Sequence, residues 1–365
     1  MKRKILIVGN NSNGMYLFRG MLISELVKQG NEVVVLTPFD LNVDDIRMLG
    51  VRLYETPIDR RGMDPLKDLK LIRLYKNIIK AEKPDLVVTY TIKPNIYAGY
   101  ICSKYNITYA ANITGLGSVF QSVGVVRSVI VQMYRKALKK AKVVFFENRG
   151  NQITFIKEKI IEETKTVVLN GAGVDTQFFY YAEYPNEDTV RFLFSGRIMA
   201  EKGIDELLNA INRLRTNGYN VFLDIIGEYD EWKYKEIIDS YEKDGFLKFY
   251  GYQDDVRPFI EKCNCFVLPS WHEGMANTNL ECASMGRPVI TTNIHGCKEA
   301  IENNISGFLC DKKNSDDLYE KMKQFTELSY KERRAMGLAG RERMEKFFDK
   351  KKVVEETINQ LYYWS

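Results

Sequence analysis

Four side chains in the second half of the chain have the types and spacing for chemistry on a charged, hydroxyl-rich ligand. Ser195-Gly196-Arg197 closes an apolar run, and Lys202-Gly203 follows shortly after. Two cations beside a helix start suit a diphosphate, which gains charge-assisted hydrogen bonds from both and further bonds from unpaired backbone amides. Glu273 and Glu281 come about seventy residues later, in the stretch PSWHEGMANTNLECASMGRPVITTNIHGCKEAIENNISGFL. An ionised carboxylate only accepts hydrogen bonds and can take two hydroxyl protons at once, as a sugar or a ribose offers them. Each pair alone is weak: E-x7-E also arises in an ordinary βαβ unit with two exposed glutamates, and cations at a helix start are often merely solvated.

The elements that must hold these residues are legible. Cys265-Phe266-Val267-Leu268 reads as a buried strand ended by Pro269. Thr278 to Met285 reads as a helix, with Thr278 or Asn277 as N-cap. Glu273 then lies on the strand-to-helix loop, and Glu281 about one turn into the helix. Pro288 to Thr291 is the next strand. Arg191 to Ser195 is the strand that delivers Arg197, at the carboxyl edge where open parallel sheets bind ligands.

The first half repeats this alternation. Lys4 to Val8 is a strand, Gly9 to Gly14 a small flexible loop, and Leu17, Met21, Leu22 and Leu26 recur at helical spacing up to Gly30. The opening lacks a clean GxGxxG, so a dinucleotide fingerprint is weak. Strands are expected at Glu32 to Leu36, Leu86 to Thr89, Thr108 to Ala111, Val143 to Phe146 and Thr166 to Leu169. Between them lie two basic helices. One, Pro65 to Lys80, carries Lys67, Lys70, Arg73, Lys76 and Lys80; the other, Val125 to Lys140, carries Arg127, Arg135, Lys136, Lys139 and Lys140. Strands alternating with helices predict α/β architecture with doubly wound parallel sheets. The polar stretch Tyr180 to Asp188 sets the expected boundary: a first domain at 1–185, a second at 186–349, and a last helix at 350–365. That helix ends in Tyr362, Tyr363 and Trp364 and is expected to pack back on the first domain.

Composition narrows the class. The chain has 365 residues, enough for two domains, with 45% hydrophobic and 28% charged residues. No apolar run approaches bilayer length, and the run after MKRK is too short for a signal peptide. Six cysteines without a CxxC pair read as reduced thiols of a cytosolic protein. The net charge of +5 is unevenly spread: residues 1–185 hold 27 Lys+Arg against 17 Asp+Glu, and the remainder 26 against 31. A basic half suggests an anionic partner. No aromatic-basic sheet motif or helix-turn-helix spacing supports nucleic acid. An anionic membrane surface fits better, because the two basic helices interleave cations with aliphatics.

Taken together, FLFSGRIMAEKGIDELLNAI, DIIGEYD, FYGYQDDVRPFI and the Glu273–Glu281 stretch resemble the family 4 retaining glycosyltransferases of GT-B fold. VVLNGAGVDTQFF and KILIVGNN with VKQGNEVVVLT fit the end and the beginning of that family's first domain. TIKPNIYAGY, NITGLGSVF and GRPVITTNIHGCKE look like the subgroup that extends lipid-linked glycans for capsule, O-antigen or glycoprotein assembly. The resemblance implies two Rossmann-like domains facing a central cleft, a nucleotide-sugar donor such as a UDP-sugar on the second domain, and a lipid-linked acceptor on the first. It implies that Gly196, Arg197 and Lys202 hold the donor diphosphate, Glu273 the sugar hydroxyls and Glu281 the ribose. Gly274, Met275 and Ala276 match a loop whose amides reach sugar and phosphate, Tyr252 falls where the base is contacted, and Gly14 matches a loop over the phosphates. No metal or other cofactor is expected, and the site of action would be the cytoplasmic face of the membrane.

The chain departs from the family in lacking a first-domain histidine: His272 and His295 both lie in the second half. Lys93, Asn112 and Thr114 are the candidates to stand in for it, and His272 could orient Glu273. Ala276-Asn277-Thr278-Asn279 replaces the usual glycine and proline of that loop and could alter sugar choice. Two competing functions remain at this stage. A sugar-nucleotide epimerase would convert donor without acceptor. A regulator that binds nucleotide-sugars without catalysis would have no reason to keep all four of Arg197, Lys202, Glu273 and Glu281.

Overall fold

The computed structural model describes every residue except 1, 60, 61, 63, 118, 119, 121–123 and 365, and leaves the side chain of Trp364 undescribed. Two compact units emerge. The first comprises Met1–Ala172 with Lys351–Ser365, the second Gly173–Lys350.

The first unit is built on seven strands: β1 (Lys4–Val8), β2 (Glu32–Thr37), β3 (Arg52–Glu55), β4 (Leu86–Tyr90), β5 (Tyr109–Ile113), β6 (Val143–Phe146) and β7 (Thr166–Val168). They pair in the order β3-β2-β1-β4-β5-β6-β7, all parallel. Strands β1, β4, β5 and β6 are almost wholly buried, which is why they read as continuous apolar runs. Helices Pro65–Glu82, Ile92–Tyr105 and Val125–Leu138 cover one face. Ser12–Lys28 and the last helix, Lys350–Trp364, cover the other, where Val353, Val354, Ile358 and Leu361 join Ile5, Ile7 and Phe145. Tyr362 adds hydrogen bonds from Asn31 Nδ2 at 2.9 Å and to Gln29 Oε1 at 3.0 Å, whereas Tyr363 is exposed. The expected stacking of Trp364 lies outside the described side chains.

The second unit has six parallel strands in the order β10-β9-β8-β11-β12-β13: β8 (Val190–Ser195), β9 (Val221–Ile226), β10 (Leu247–Phe249), β11 (Cys265–Leu268), β12 (Val289–Thr292) and β13 (Gly307–Cys310). Its core runs from Phe192 and Phe194 through Phe266 to Phe325. All six cysteines are buried, unpaired thiols.

The boundary falls earlier than the 185/186 division expected from composition. Residues 173–185 belong to the second unit because its arginines take their carbonyls. Arg287, fully buried, donates to Ala182 and Glu183, each at 2.9 Å, and Arg341 to Thr176 and Phe179. Ser284 Oγ donates to Phe179 at 2.7 Å. A polar stretch that reads as a linker is a strap whose backbone acceptors are all sought from one side.

Candidate active site

In the second sheet the chain runs outward from β8 to β10, returns to β11, and then runs outward the other way. Loops leaving the carboxyl ends of β8 and β11 therefore diverge, and the crevice between them is where such sheets take ligands. Gly196-Arg197 leaves β8 and Pro269-to-Glu273 leaves β11, so the fold brings both sequence motifs to this one place.

Their contact is direct. Lys202 Nζ is bonded to Glu273 Oε1, and Ser270 Oγ donates to the same oxygen at 2.7 Å. Lys202 sits in a short 3₁₀ turn, Ala200–Lys202, ahead of the helix Ile204–Thr216 rather than inside it. Gly203 makes the approach possible: its φ is +76°, and a β-carbon there would lie 2.2 Å from the Pro269 carbonyl oxygen. Arg197 is half exposed and pairs with Asp230 at 3.1 Å. A lysine ammonium has three donors and a guanidinium five, so each keeps capacity for phosphate oxygens beside its carboxylate.

The loop after Glu273 is held from the far side. Gly296, at φ +91°, accepts the Ala276 amide at 2.7 Å, and its own amide donates to Glu299 Oε2 at 2.7 Å. His295 Nδ1 lies 2.9 Å from Glu299 Oε1. The Ala276 amide is thus committed to Gly296, which removes it from the amides expected to reach sugar and phosphate. The helix is Asn277–Ser284, with Ala276 as an N-cap that makes no side-chain bond; neither Thr278 nor Asn277 caps it. Asn277 and Asn279 thus lie on the helix rather than in the loop; the Oδ1 atoms of both are buried without a protein partner. Glu281, on that helix, is part-buried; burial pushes its carboxyl up to about 7, and Lys350 offsets this only in part. Gly274 and Met275 follow Glu273 directly, Met275 in the core. Tyr252 is exposed after Gly251, whose carbonyl accepts the Gly227 amide at 2.9 Å.

Three further expectations need correction. His272 does not hold Glu273: its Nε2 lies 3.4 Å from Glu201, its Nδ1 is buried without a partner, and burial lowers its pKa. Lys202 and Ser270 orient Glu273 instead. Gly14 is not in a flexible loop, because the helix Ser12–Lys28 begins before it and Asn11 Oδ1 caps its amide. Lys93 is not free either, since it pairs with Asp68 at 2.7 Å. Asn112 is fully buried one residue before the end of β5, and Thr114 follows on the loop beyond.

The similarities to known proteins match this geometry. The family described as "Glycosyl transferase 4-like" matches residues 4–148, and "Glycosyl transferases group 1" matches residues 181–343, so one falls on each sheet. The chain is a glycosyltransferase of GT-B fold, with one of these families matching each unit. It is 26% identical over 326 residues to the N,N'-diacetylbacillosaminyl-diphospho-undecaprenol α-1,3-N-acetylgalactosaminyltransferase of Campylobacter jejuni, covering 84% of this chain and 85% of that one. It is 27% identical over 299 residues to the UDP-Gal:α-D-GlcNAc-diphosphoundecaprenol α-1,3-galactosyltransferase of Escherichia coli, covering 76% and 75%. A solved glycosyltransferase from Rickettsia africae superposes with a TM-score of 0.82 at 20% identity, over 100% of this chain and 98% of the other.

Sequence reasoning missed the roles of four groups in the two units of this glycosyltransferase. Ser270 and Asp230 stood in PSWHEGM and DIIGEYD without a role of their own. Gly203 and Gly296 stood in quoted motifs, but only their positive φ and the carbonyls beneath them explain why glycine is needed. In the first unit Arg19 pairs with the buried Glu147 at 2.5 Å and stacks over Tyr90. Burial raises the Glu147 carboxyl, opposed by Arg19. The fourth, Thr91, is taken up below.

Proposed function

We propose that this glycosyltransferase moves a sugar from a nucleotide-sugar, of which a UDP-sugar is the first choice, to a hydroxyl of a lipid-linked glycan, with retention of configuration. The observation that carries the reading is the Lys202–Glu273 contact in the crevice of the second sheet. It joins a group that suits the leaving diphosphate to one that suits the sugar's hydroxyls. As the glycosidic bond breaks, negative charge grows on the diphosphate, where Lys202 and Arg197 stabilise it. In the retaining reaction of this reading the acceptor oxygen attacks from the leaving group's own face, and its proton passes to the departing phosphate oxygen. In this reading two protein cations meet the diphosphate, and no metal ion is invoked. The relatives from C. jejuni and E. coli are named for sugar-diphospho-undecaprenol acceptors, which supports a lipid-diphosphate acceptor here.

The test is mass spectrometry of products from a panel of nucleotide-sugars with lipid-diphosphate glycan acceptors. Conversion of the donor without added acceptor would favour an epimerase. Proton NMR of the product, with and without chelator, reads the anomer and the metal dependence together.

Among the described residues no helix is long and apolar enough to cross a membrane. We propose instead that the first unit rests on the inner face of the cytoplasmic membrane. At the carboxyl edge of its sheet the two basic helices begin with exposed aliphatics, Leu66 at 72% and Val125 at 80%, beside Lys67, Lys70 and Arg73. Each cation near an anionic surface contributes about 1 kcal/mol. Sedimentation with anionic vesicles should fall as salt rises; equal binding to neutral vesicles would reject the idea.

A further inference from the structure

In the first sheet the order reverses between β1 and β4, so a second crevice opens at their carboxyl ends. The first residue beyond β4 is Thr91, with φ +70° and ψ 170°. This region belongs almost only to glycine, and holding another residue there costs on the order of 1–3 kcal/mol. A β-branched residue is the least suited to it. Helix capping does not explain the threonine. Thr91 is the N-cap of Ile92–Tyr105 but makes no capping bond, and Pro94 has removed one of the two N–H groups a cap would use. Its hydroxyl is buried and without a partner.

A second oxygen without a protein partner lies on the neighbouring strand. Asn112 pairs in register with Tyr90, is 1% exposed, and has no partner for Oδ1. The layer beneath is satisfied by contrast: Thr89 Oγ1 donates to Asn95 Oδ1 at 2.7 Å, and Asn95 Nδ2 to the Asn112 carbonyl at 2.8 Å. The charges flanking the crevice are neutralised, Lys93 by Asp68 and Arg19 by Glu147. Such a lining has neutral oxygens with unmet hydrogen-bonding capacity, and Asn112 Oδ1 only accepts, which the oxygens of a phosphate cannot satisfy. It fits a neutral ring bearing hydroxyl or acetamido groups better than a phosphate.

We propose that Thr91 Oγ1 and Asn112 Oδ1 bind the acceptor's sugar ring, and that Thr91 is kept in a glycine conformation for this contact. The proposal rests on the glycosyltransferase reading, in which the first unit receives the acceptor. Its test compares Thr91→Gly, Thr91→Val and Thr91→Ser, using a short-chain alkyl diphosphate of N-acetylglucosamine as probe and the same alkyl diphosphate without sugar as control. Thr91→Gly should melt a few degrees higher, because the strain is gone, while its acceptor KM rises about tenfold. Thr91→Val should show the same rise in KM, Thr91→Ser should keep the parent value, and donor KM should not move in any of them. The sugar-free control should bind all variants alike. An acceptor KM within twofold of the parent in both Thr91→Gly and Thr91→Val, or a Thr91→Gly no more stable than the parent, overturns the proposal. If the parent transfers no sugar, the functional reading fails first. Saturation-transfer NMR of the probe then still decides this one: equal sugar signals from parent and Thr91→Val overturn it, and a lost signal supports it.

Discussion

Glu281 offers a quantitative test of the donor site, because its carboxyl titrates inside the working pH range. Burial holds it at about 7 in the ligand-free protein. A ribose needs the ionised form, which accepts two hydroxyl protons, so donor binding must remove the proton first. With a carboxyl at about 7, roughly nine molecules in ten are ready at pH 8 and one in ten at pH 6. The dissociation constant for a nucleotide-sugar should therefore rise about tenfold over that interval, or about 1.4 kcal/mol. A nucleotide-sugar is the right probe, since a diphosphate esterified at both ends does not titrate there. Folding stability should move the other way. A carboxyl raised above its unfolded value of about 4.3 keeps its proton longer when folded, so the unliganded protein loses up to about 4 kcal/mol as pH climbs from below 4.3 to above 7. Glu281→Gln should flatten both profiles. Calorimetric titration from pH 6 to 8 checks the first effect and denaturant unfolding the second. An affinity unchanged within twofold, or a pH dependence that survives Glu281→Gln, would refute the assignment of Glu281 to the donor.

Other substitutions probe the same construction. Lys202→Ala should slow transfer by about 2–4 kcal/mol of lost transition-state stabilisation, and unchanged turnover in the folded variant would sink Lys202's role. Gly203→Ala forces a β-carbon onto the Pro269 carbonyl at positive φ, so the urea midpoint should report a loss of about 2–3 kcal/mol and donor affinity should fall with it. Arg19→Met strands the buried Glu147 and should cost about 3–5 kcal/mol, most of it restored by Glu147→Leu in the same chain; melting curves of the two variants decide it.

The parts of this fold that show in the sequence are those fixed by burial on both faces. Strands β1, β6 and β11 match their apolar runs residue for residue, because nothing polar can sit on either side of them. The β3 edge strand, Arg52–Glu55, was invisible for the opposite reason: both ends are exposed, and it has no apolar run to announce it. It is fastened by the buried Glu82: burial alone would raise its carboxyl, but bonds from Tyr54, Arg52 and Lys4 hold it down to about 2. Such a knot joins residues far apart in the chain and leaves no local period. The domain boundary failed in the same way. Composition marks 180–188 as polar, but only the reach of Arg287 to Ala182 and Glu183, with Arg341 holding Phe179 just before them, assigns its first half to the second unit.

The candidate site divides along the same line, and the division says something about how the two units work. On the second unit, charge and spacing are written into short motifs, since a diphosphate demands fixed cations beside a helix start. On the first, the groups left open are a threonine hydroxyl and an asparagine carbonyl, both neutral and ordinary in composition. Neither spacing nor residue type distinguishes Thr91 from any other threonine. What distinguishes it is a backbone conformation that threonine resists, and conformation is visible only after folding. A phosphate can be recognised by charge alone, but a neutral sugar must be recognised by the placement of single hydrogen bonds. Thr91 and Asn112 open TIKPNIYAGY and NITGLGSVF, which resemble a subgroup's motifs yet give neither residue a role by type or spacing, and substitutions of Thr91 should change which acceptor is used while leaving donor affinity intact.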